Sequence, residues 1–432
     1  MIPTPRIVQD GRGCDFDTNK QHLPPRPSPP PTYFTLSTPN DNPSIAQSIQ
    51  DWLSNCDRHH SDACTRSSSA SSMEPKTSWL IDVRDRCIVR GNASSDYLAL
   101  SYTWQNKTNQ IEKDAELQLC SNNTDIFTTV NALEQYKSKL SKVIQDAIEL
   151  TSAIGKRYLW VDRLRIVQDN PEKAAEFSSM DRIYSGACMT IVAAAVYGMF
   201  STPNATIHTK AARADRIQSY YETLCRSRGA QRAWTYQEHI LSKRVVFFLG
   251  SQIFWQCECV VWDSSQLRPQ QDDKPSSETL SEVAPMRQLS VPTWPDFSIY
   301  ADLVCPYNGR ELSHKEDGLS AFLGVLNYLA PAFPQGFLFG LPRLYVDHAL
   351  LWQPLKGTYR FAWSPESGGH RPSSPSTRRP TLPSWAWCGW LCFIDPESFR
   401  SALNIGRDGH DKTSIESSWK LRNVVTWEHM VS

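Results

Sequence analysis

Three side chains combine the residue type and the placement needed for acid–base or electrostatic chemistry: Ser101, Asp162 and Glu238. Ser101 and Asp162 each close an apolar run that reads as a strand, over 97–102 and 158–162. If those strands are parallel, both side chains stand at the carboxyl edge of the sheet, where open α/β folds bind ligands. A carboxylate held there needs a hydrogen bond or a counter-charge, and Arg163, Arg165 and Ser101 are the candidates. Two readings of Asp162 stand side by side, a ligand-facing acid and a cap on the following turn. Glu238 follows Trp234 by one helical turn. A carboxyl beside an aromatic wall acquires a raised pKa and can stabilise a cation developing on a ribose, as glycosyl transfer requires. The competing reading is a surface ion pair with Arg232, Lys243 or Arg244. Gln237 and Arg232 are the polar candidates for ligand contact, Gln237 serving equally well as a loop cap. Trp104, Trp160 and Trp234 read as core aromatics before a base-stacking platform, and of the three only Trp104, which ends a strand just before the polar run 105–110, is well placed against a ligand.

Other chemistries fit less well. Cys56, His60 and Cys64 follow a C-x3-H-x3-C spacing, with His59 adjacent. That spacing offers three ligands at most, at a helix end with no second pair nearby, and structural zinc takes four in a closed geometry. No metal and no cofactor is therefore expected. Cys257 and Cys259 share one strand face and read as packing. Cys188, ahead of a buried strand, lacks the electropositive niche of a nucleophile. No histidine pairs with a serine or cysteine in a triad pattern. Gly155 stands alone, without the glycines of a phosphate-binding loop.

The elements that must position these groups alternate. A helix is expected from Ser44, with Ile45, Ile49, Trp52 and Leu53 on one face. Strands are expected over 78–83 and 97–102. Leu140, Val143, Ile144, Ala147, Ile148 and Thr151 give a helix that stops near Gly155. Strand 158–162, a helix through Phe177, Met180, Ile183, Tyr184 and Ala187, and strand 190–195 follow. Runs 245–249 and 253–257, joined across Gly250, read as a hairpin at the sheet edge. The expected fold class is α/β, a largely parallel sheet flanked by helices, with a mixed α+β C-terminal extension.

Composition sets the outer limits. The 432 residues hold 45 basic and 45 acidic side chains, a formal net charge of zero, which argues against a nucleic-acid partner. No apolar run reaches the length of a membrane span. With no secretory leader at the N-terminus, the 12 cysteines are expected to be reduced thiols and the location cytoplasmic. Each of the 15 tryptophans calls for a partner to its indole N–H. The divisions expected are a disordered proline-rich tail at 1–43, a helical lead-in with the first strands at 44–96, a central domain at 97–262, a linker at 263–291, a mixed extension at 292–393 and a weakly patterned tail at 394–432.

Three blocks of the central region resemble the heterokaryon incompatibility (HET) domain of filamentous fungi. The first is Tyr97-Leu-Ala-Leu-Ser-Tyr-Thr-Trp104. The second runs from Ala147 through Tyr158-Leu-Trp-Val-Asp162 to Gln168-Asp169, then Met180, Ile183-Tyr184, Ala187 and Thr190-Ile-Val-Ala193. The third is Arg232-Ala-Trp-Thr-Tyr-Gln-Glu238, followed by Leu241-Ser242 and Arg244. Trp52-Leu53 and Cys56 resemble the family's N-terminal lead-in. Asp317, 319–324, 349–352 and Pro383-Ser-Trp-Ala-Trp387 resemble its C-terminal extension. Arg165 stands where the family has cysteine and Gln105 where it has glycine, departures that bear on whether a site is active. The resemblance implies a role in non-self recognition that ends in growth arrest or cell death, with a protein partner in incompatibility signalling. A remote likeness of the family to TIR domains, some of which cleave NAD, adds an NAD-like nucleotide as a ligand by analogy. The alternatives are a non-catalytic interaction module and a regulatory paralogue without killing activity.

Overall fold

The computed structural model describes residues 32–33, 45–60, 64, 79–91, 96–103, 117, 119–120, 123–165, 180–194, 201–202, 213–250, 252–263, 294–355, 359–360 and 382–403. Its longer elements in chain order are helix α1 (Ile45–His59), strands β1 (Leu80–Asp82), β2 (Cys87–Val89) and β3 (Tyr97–Tyr102), helix α2 (Lys142–Ala153), β4 (Tyr158–Val161), α3 (Met180–Gly186), β5 (Met189–Ala193), α4 (Arg213–Arg226), α5 (Ala233–Ile240), β6 (Arg244–Leu249), β7 (Gln252–Cys257), β8 (Val261–Asp263), α6 (Phe297–Val304), α7 (Leu323–Leu329) and α8 (Pro396–Leu403).

Eight strands form one sheet in the order β8-β7-β6-β5-β3-β4-β1-β2. The four central strands are parallel: β3 pairs β4 and β5, and β5 pairs β6. The outer pairings, β1 with β2 and β4, and β7 with β6 and β8, are antiparallel. The sheet is therefore mixed, and the expectation of a largely parallel one holds for its centre alone. Short outer segments joined by tight turns explain the difference. The short connection that begins at Gly250, which sits at φ +63°, returns the chain antiparallel, whereas parallel neighbours need a long crossover.

Alternation along the strands sorts side chains to two faces. Leu98, Leu100, Leu159, Val161, Ile191, Val246, Phe248 and Trp255 pack with α1 and α2 in one apolar cluster. Helix α2 is bounded as its sequence requires, with Ser141 Oγ accepting from Ile144 N–H and Gly155 just past the end at φ +77°. The opposite face carries Tyr97, Ala99 and Trp160, which pack with α3, α5 and the C-terminal region in a second cluster. On that same side Val192, Val245, Phe247 and Phe254 pack with Tyr220, Tyr221 and Leu224 of α4.

The region beyond residue 294 thus shares its core with the sheet. Phe297, Tyr300, Tyr307, Phe322, Trp387 and Phe399 lie in the cluster that holds Trp160 and Tyr236. Trp387 Nε1–H donates to Tyr300 Oη at 2.9 Å, and that hydroxyl donates to the Gly340 carbonyl at 2.9 Å. Gly340 sits at φ +88°, and a Cβ there would come within 2.9 Å of the Trp387 ring, so both backbone and packing call for glycine. Helix α8 brings fully buried Phe399 into this core from the segment whose sequence pattern is weak. Within the expected tail, Thr32–Tyr33 pairs antiparallel with Ser201–Thr202. The cysteines among the described residues are all free. Trp52, Trp255 and Trp262 bury their Nε1 atoms with no protein acceptor, against the expectation of a partner for each indole. No helix among the described residues is long and apolar enough to cross a membrane.

Candidate functional site

The strand order places a topological switch at β3. The chain crosses from β3 to β4 on one side and then returns past β3 to β5 on the other. The crossover helices α2 and α3 accordingly lie on opposite faces, and the crevice at the carboxyl ends of such strands is where ligands settle in open α/β sheets. Ser101 lies in the last turn of pleat of β3, opposite Val192 of β5. Asp162 follows the end of β4, which runs parallel beside β3 in the register Leu100↔Val161. The parallel placement that the sequence reading required of these two residues is present.

Helix α5 delivers the third group. Its start is pinned from the C-terminal region, where Ala233 N–H donates to the Glu311 carbonyl at 2.9 Å and Glu311 N–H to the Gln231 carbonyl at 2.6 Å. Tyr236 Oη–H donates to the Leu303 carbonyl at 2.8 Å, and the Arg310 guanidinium lies over the Tyr236 ring. With the helix held at its start and at Tyr236, Glu238 is buried at 7% exposure. The surface ion pair considered for it is ruled out by that burial. Arg244, one of the proposed partners, binds Asp57 at 2.6 Å instead.

Burial pushes the Glu238 carboxyl up to about 7; Asp162 adds to the rise, while a hydrogen bond from Ser101, the charge of Arg232 and a hydrogen bond from Tyr184 oppose it. These interactions bring together four residues that the sequence singled out, Ser101, Asp162, Arg232 and Glu238. They also add Tyr184, which is buried and stands edge-on to Trp160 with ring centroids 5.3 Å apart. Sequence reading took Tyr184 for a core position on α3, and its phenol also reaches the site. His239 was missed as well. Its Nε2 lies 3.4 Å from Ser101 Oγ, and burial, with Arg310 nearby, lowers its pKa to about 3 and keeps the ring neutral. The signal for it was adjacency to Glu238 in the third motif block, obscured because successive helical residues point some 100° apart.

The remaining candidates fall elsewhere. Asp162 Oδ1 accepts from Arg163 N–H at 2.6 Å, so this carboxylate both caps its turn and faces Glu238. The Arg163 guanidinium donates to the Leu117 carbonyl. Gln237 is fully buried and its Oε1 accepts from Gly324 N–H at 3.2 Å, which places it in the contact between α5 and α7. Trp234 is half-buried, whereas Trp160 is fully buried. Trp104 and Gln105 lie outside the described residues, as do Gln168 and Asp169.

On the opposite sheet face, the fold supplies what the Cys56–Cys64 segment lacked. Cys257 of β7 joins Cys56, His60 and Cys64, with the four ligand-type atoms all within 4.8 Å of one another. The ground for expecting no metal, a set of only three ligands, is thereby removed.

What the Glu238 constellation can do follows from its charges. A carboxyl that titrates near neutrality can take or give a proton at physiological pH, and once ionised it can face a developing cation. Ser101 and Tyr184 stabilise the ionised form, and Arg232 supplies a positive charge beside it. No curated protein and no solved structure matches the chain. Residues 97–238, the span from the first residue of β3 to Glu238 itself, match the family model described as Heterokaryon incompatibility protein (HET).

Proposed function

We propose that the chain is a HET-domain effector of fungal non-self recognition that arrests growth or kills the cell by cleaving an NAD-type nucleotide at the Glu238 site. The observation that carries this reading is the buried Glu238 carboxyl, pushed up to about 7 at the carboxyl edge of the parallel strands, with Ser101, Asp162, Arg232 and Tyr184 around it. In the proposed reaction the bond between ribose C1′ and the nicotinamide nitrogen breaks. Its electron pair leaves with the ring and neutralises the pyridinium charge. Ionised Glu238 faces the cation left on the ribose, water adds at C1′, and its released proton passes through Glu238 to solvent. Arg232 would balance the pyrophosphate and Ser101 would hold the Glu238 carboxylate in place.

Expression in a fungal host tests the reading. Growth arrest accompanied by falling cellular NAD, both lost in Glu238→Gln at equal protein abundance, supports it. Growth arrest with NAD unchanged removes the nucleotide chemistry and leaves an interaction module that acts through a protein partner. The ties of α5 to the C-terminal region favour that second reading.

A further inference from the structure

We propose that Cys56, His60, Cys64 and Cys257 form a structural zinc site that ties the N-terminal helix to the antiparallel edge of the sheet. Cys56, His60 and Cys64 are spaced four residues apart, which advances each by only about 40° around a helix and puts all three on one face. The helical hydrogen bonding continues past α1, with His60 N–H donating to the Cys56 carbonyl and Cys64 N–H to the His60 carbonyl, each at 2.9 Å. Cys257 ends β7 and shares the face of Ile253 and Trp255, which packs on α1. There its Sγ lies 3.5 Å from His60 Nδ1.

Zinc bound tetrahedrally to thiolate sulfur at about 2.3 Å and to imidazole nitrogen at about 2.0–2.1 Å sets S–N edges of ~3.6 Å and S–S edges of ~3.8 Å. The Cys257–His60 separation already has that length, and since all four atoms lie within 4.8 Å of one another, no pair needs to close by more than about 1.2 Å. Three cysteines and one histidine with no open position suit structural zinc over harder cations, which prefer oxygen. The site is also enclosed. Cys56, Cys64 and Cys257 are buried, His60 stacks on Trp262 with ring centroids 5.9 Å apart, and Trp262 stacks on Trp255. Three thiolates and one zinc ion leave a net negative charge, and the buried Arg244 guanidinium lies close enough to Cys56 to interact with its charge. A further thiol, Cys259, has its Sγ 4.0 Å from that of Cys64 but lies in the turn beyond β7, partly exposed and outside the four-atom set.

The whole chain, purified without chelator, is expected to carry about one zinc per molecule by elemental analysis, and Cys257→Ser to lose at least about nine-tenths of it while Cys259→Ser keeps it. Loss of a ligand can unfold the chain, so the unsubstituted protein supplies an independent measurement. Cobalt(II) added after zinc removal should give the intense visible bands of a tetrahedral thiolate site, and zinc should then bleach them. Zinc below about one-tenth of an equivalent together with no tetrahedral cobalt spectrum would overturn the proposal. So would iron in place of zinc, full zinc retention in Cys257→Ser, zinc loss in Cys259→Ser, or a disulfide among these cysteines in freshly purified protein.

Discussion

Glu238 holds its proton to about pH 7 because the fold removes its carboxyl from water, with Asp162 adding to the rise. The sign of the resulting stability effect is fixed. Below about pH 4.5 the group is protonated in both folded and unfolded chains. As the pH rises towards 7 the unfolded chain ionises first, so stability is lost across that window, by at most about 3 kcal/mol. Glu238→Gln should remove this dependence. Its melting temperature should exceed that of the parent at pH 8, with the difference shrinking to nothing near pH 4.5. Melting curves that run parallel at both pH values would mean that the carboxyl is solvated. Trp160, fully buried against Tyr184, should cost about 3–5 kcal/mol when changed to alanine, and half-buried Trp234 clearly less, as read from urea midpoints. At this scale the positions of Ser101 and Asp162 at strand ends and of Glu238 on a helix were legible, because short apolar runs and helical spacing mark them. Burial of Glu238 was not legible, since the groups around its carboxyl, Ser101, Asp162 and Tyr184, stand 54 to 137 residues away and only the fold brings them to it.

Helix α5 owes its position to contacts at Ala233, Tyr236 and Gln237. Gly324 N–H is among the first donors of α7, which no bond within that helix can satisfy, and Gln237 Oε1 accepts from it. Gln237→Met keeps the length of the side chain but leaves that buried donor without an acceptor, so a loss of about 1–3 kcal/mol is expected in chemical denaturation. Unchanged stability with weakened nucleotide binding would instead make Gln237 a ligand contact. Among the elements, β3, β4, α2 and the β6–β7 hairpin were legible because local signals mark them: short apolar runs, helical spacing from Leu140 to Thr151, and the glycines Gly155 and Gly250 at positive φ. β1 falls within the strand expected over 78–83, whereas the three-residue outer strands β2 and β8 are too short to impose a period on the sequence. Their antiparallel pairing is what changed the expected sheet from largely parallel to mixed. The fourth member of the Cys56 cluster was hidden for a related reason, since some two hundred residues separate Cys257 from the other three and only the sheet brings them together.

The two ends of the molecule should respond differently to truncation. The C-terminal region buries Phe297, Tyr300, Phe322 and Trp387 in the same cluster as Trp160 and Tyr236. A chain ending at residue 263 would expose that apolar face, and it should aggregate or melt without a cooperative transition. A cooperative melt of that fragment would show that the central region stands alone. Deleting residues 1–40 removes only the Thr32–Tyr33 pairing among the described contacts. It should lower the melting temperature by no more than about 3 °C, corresponding to ~1 kcal/mol. The most direct test of the proposed chemistry is nicotinamide release from NAD by the purified full-length chain, followed across pH 5 to 9. Release should rise with pH through about 7 as Glu238 ionises, and Glu238→Gln, folded by the melting criterion above, should be slower by about 10²–10³. Absence of release at every pH, or release that Glu238→Gln leaves unchanged, would contradict a catalytic Glu238.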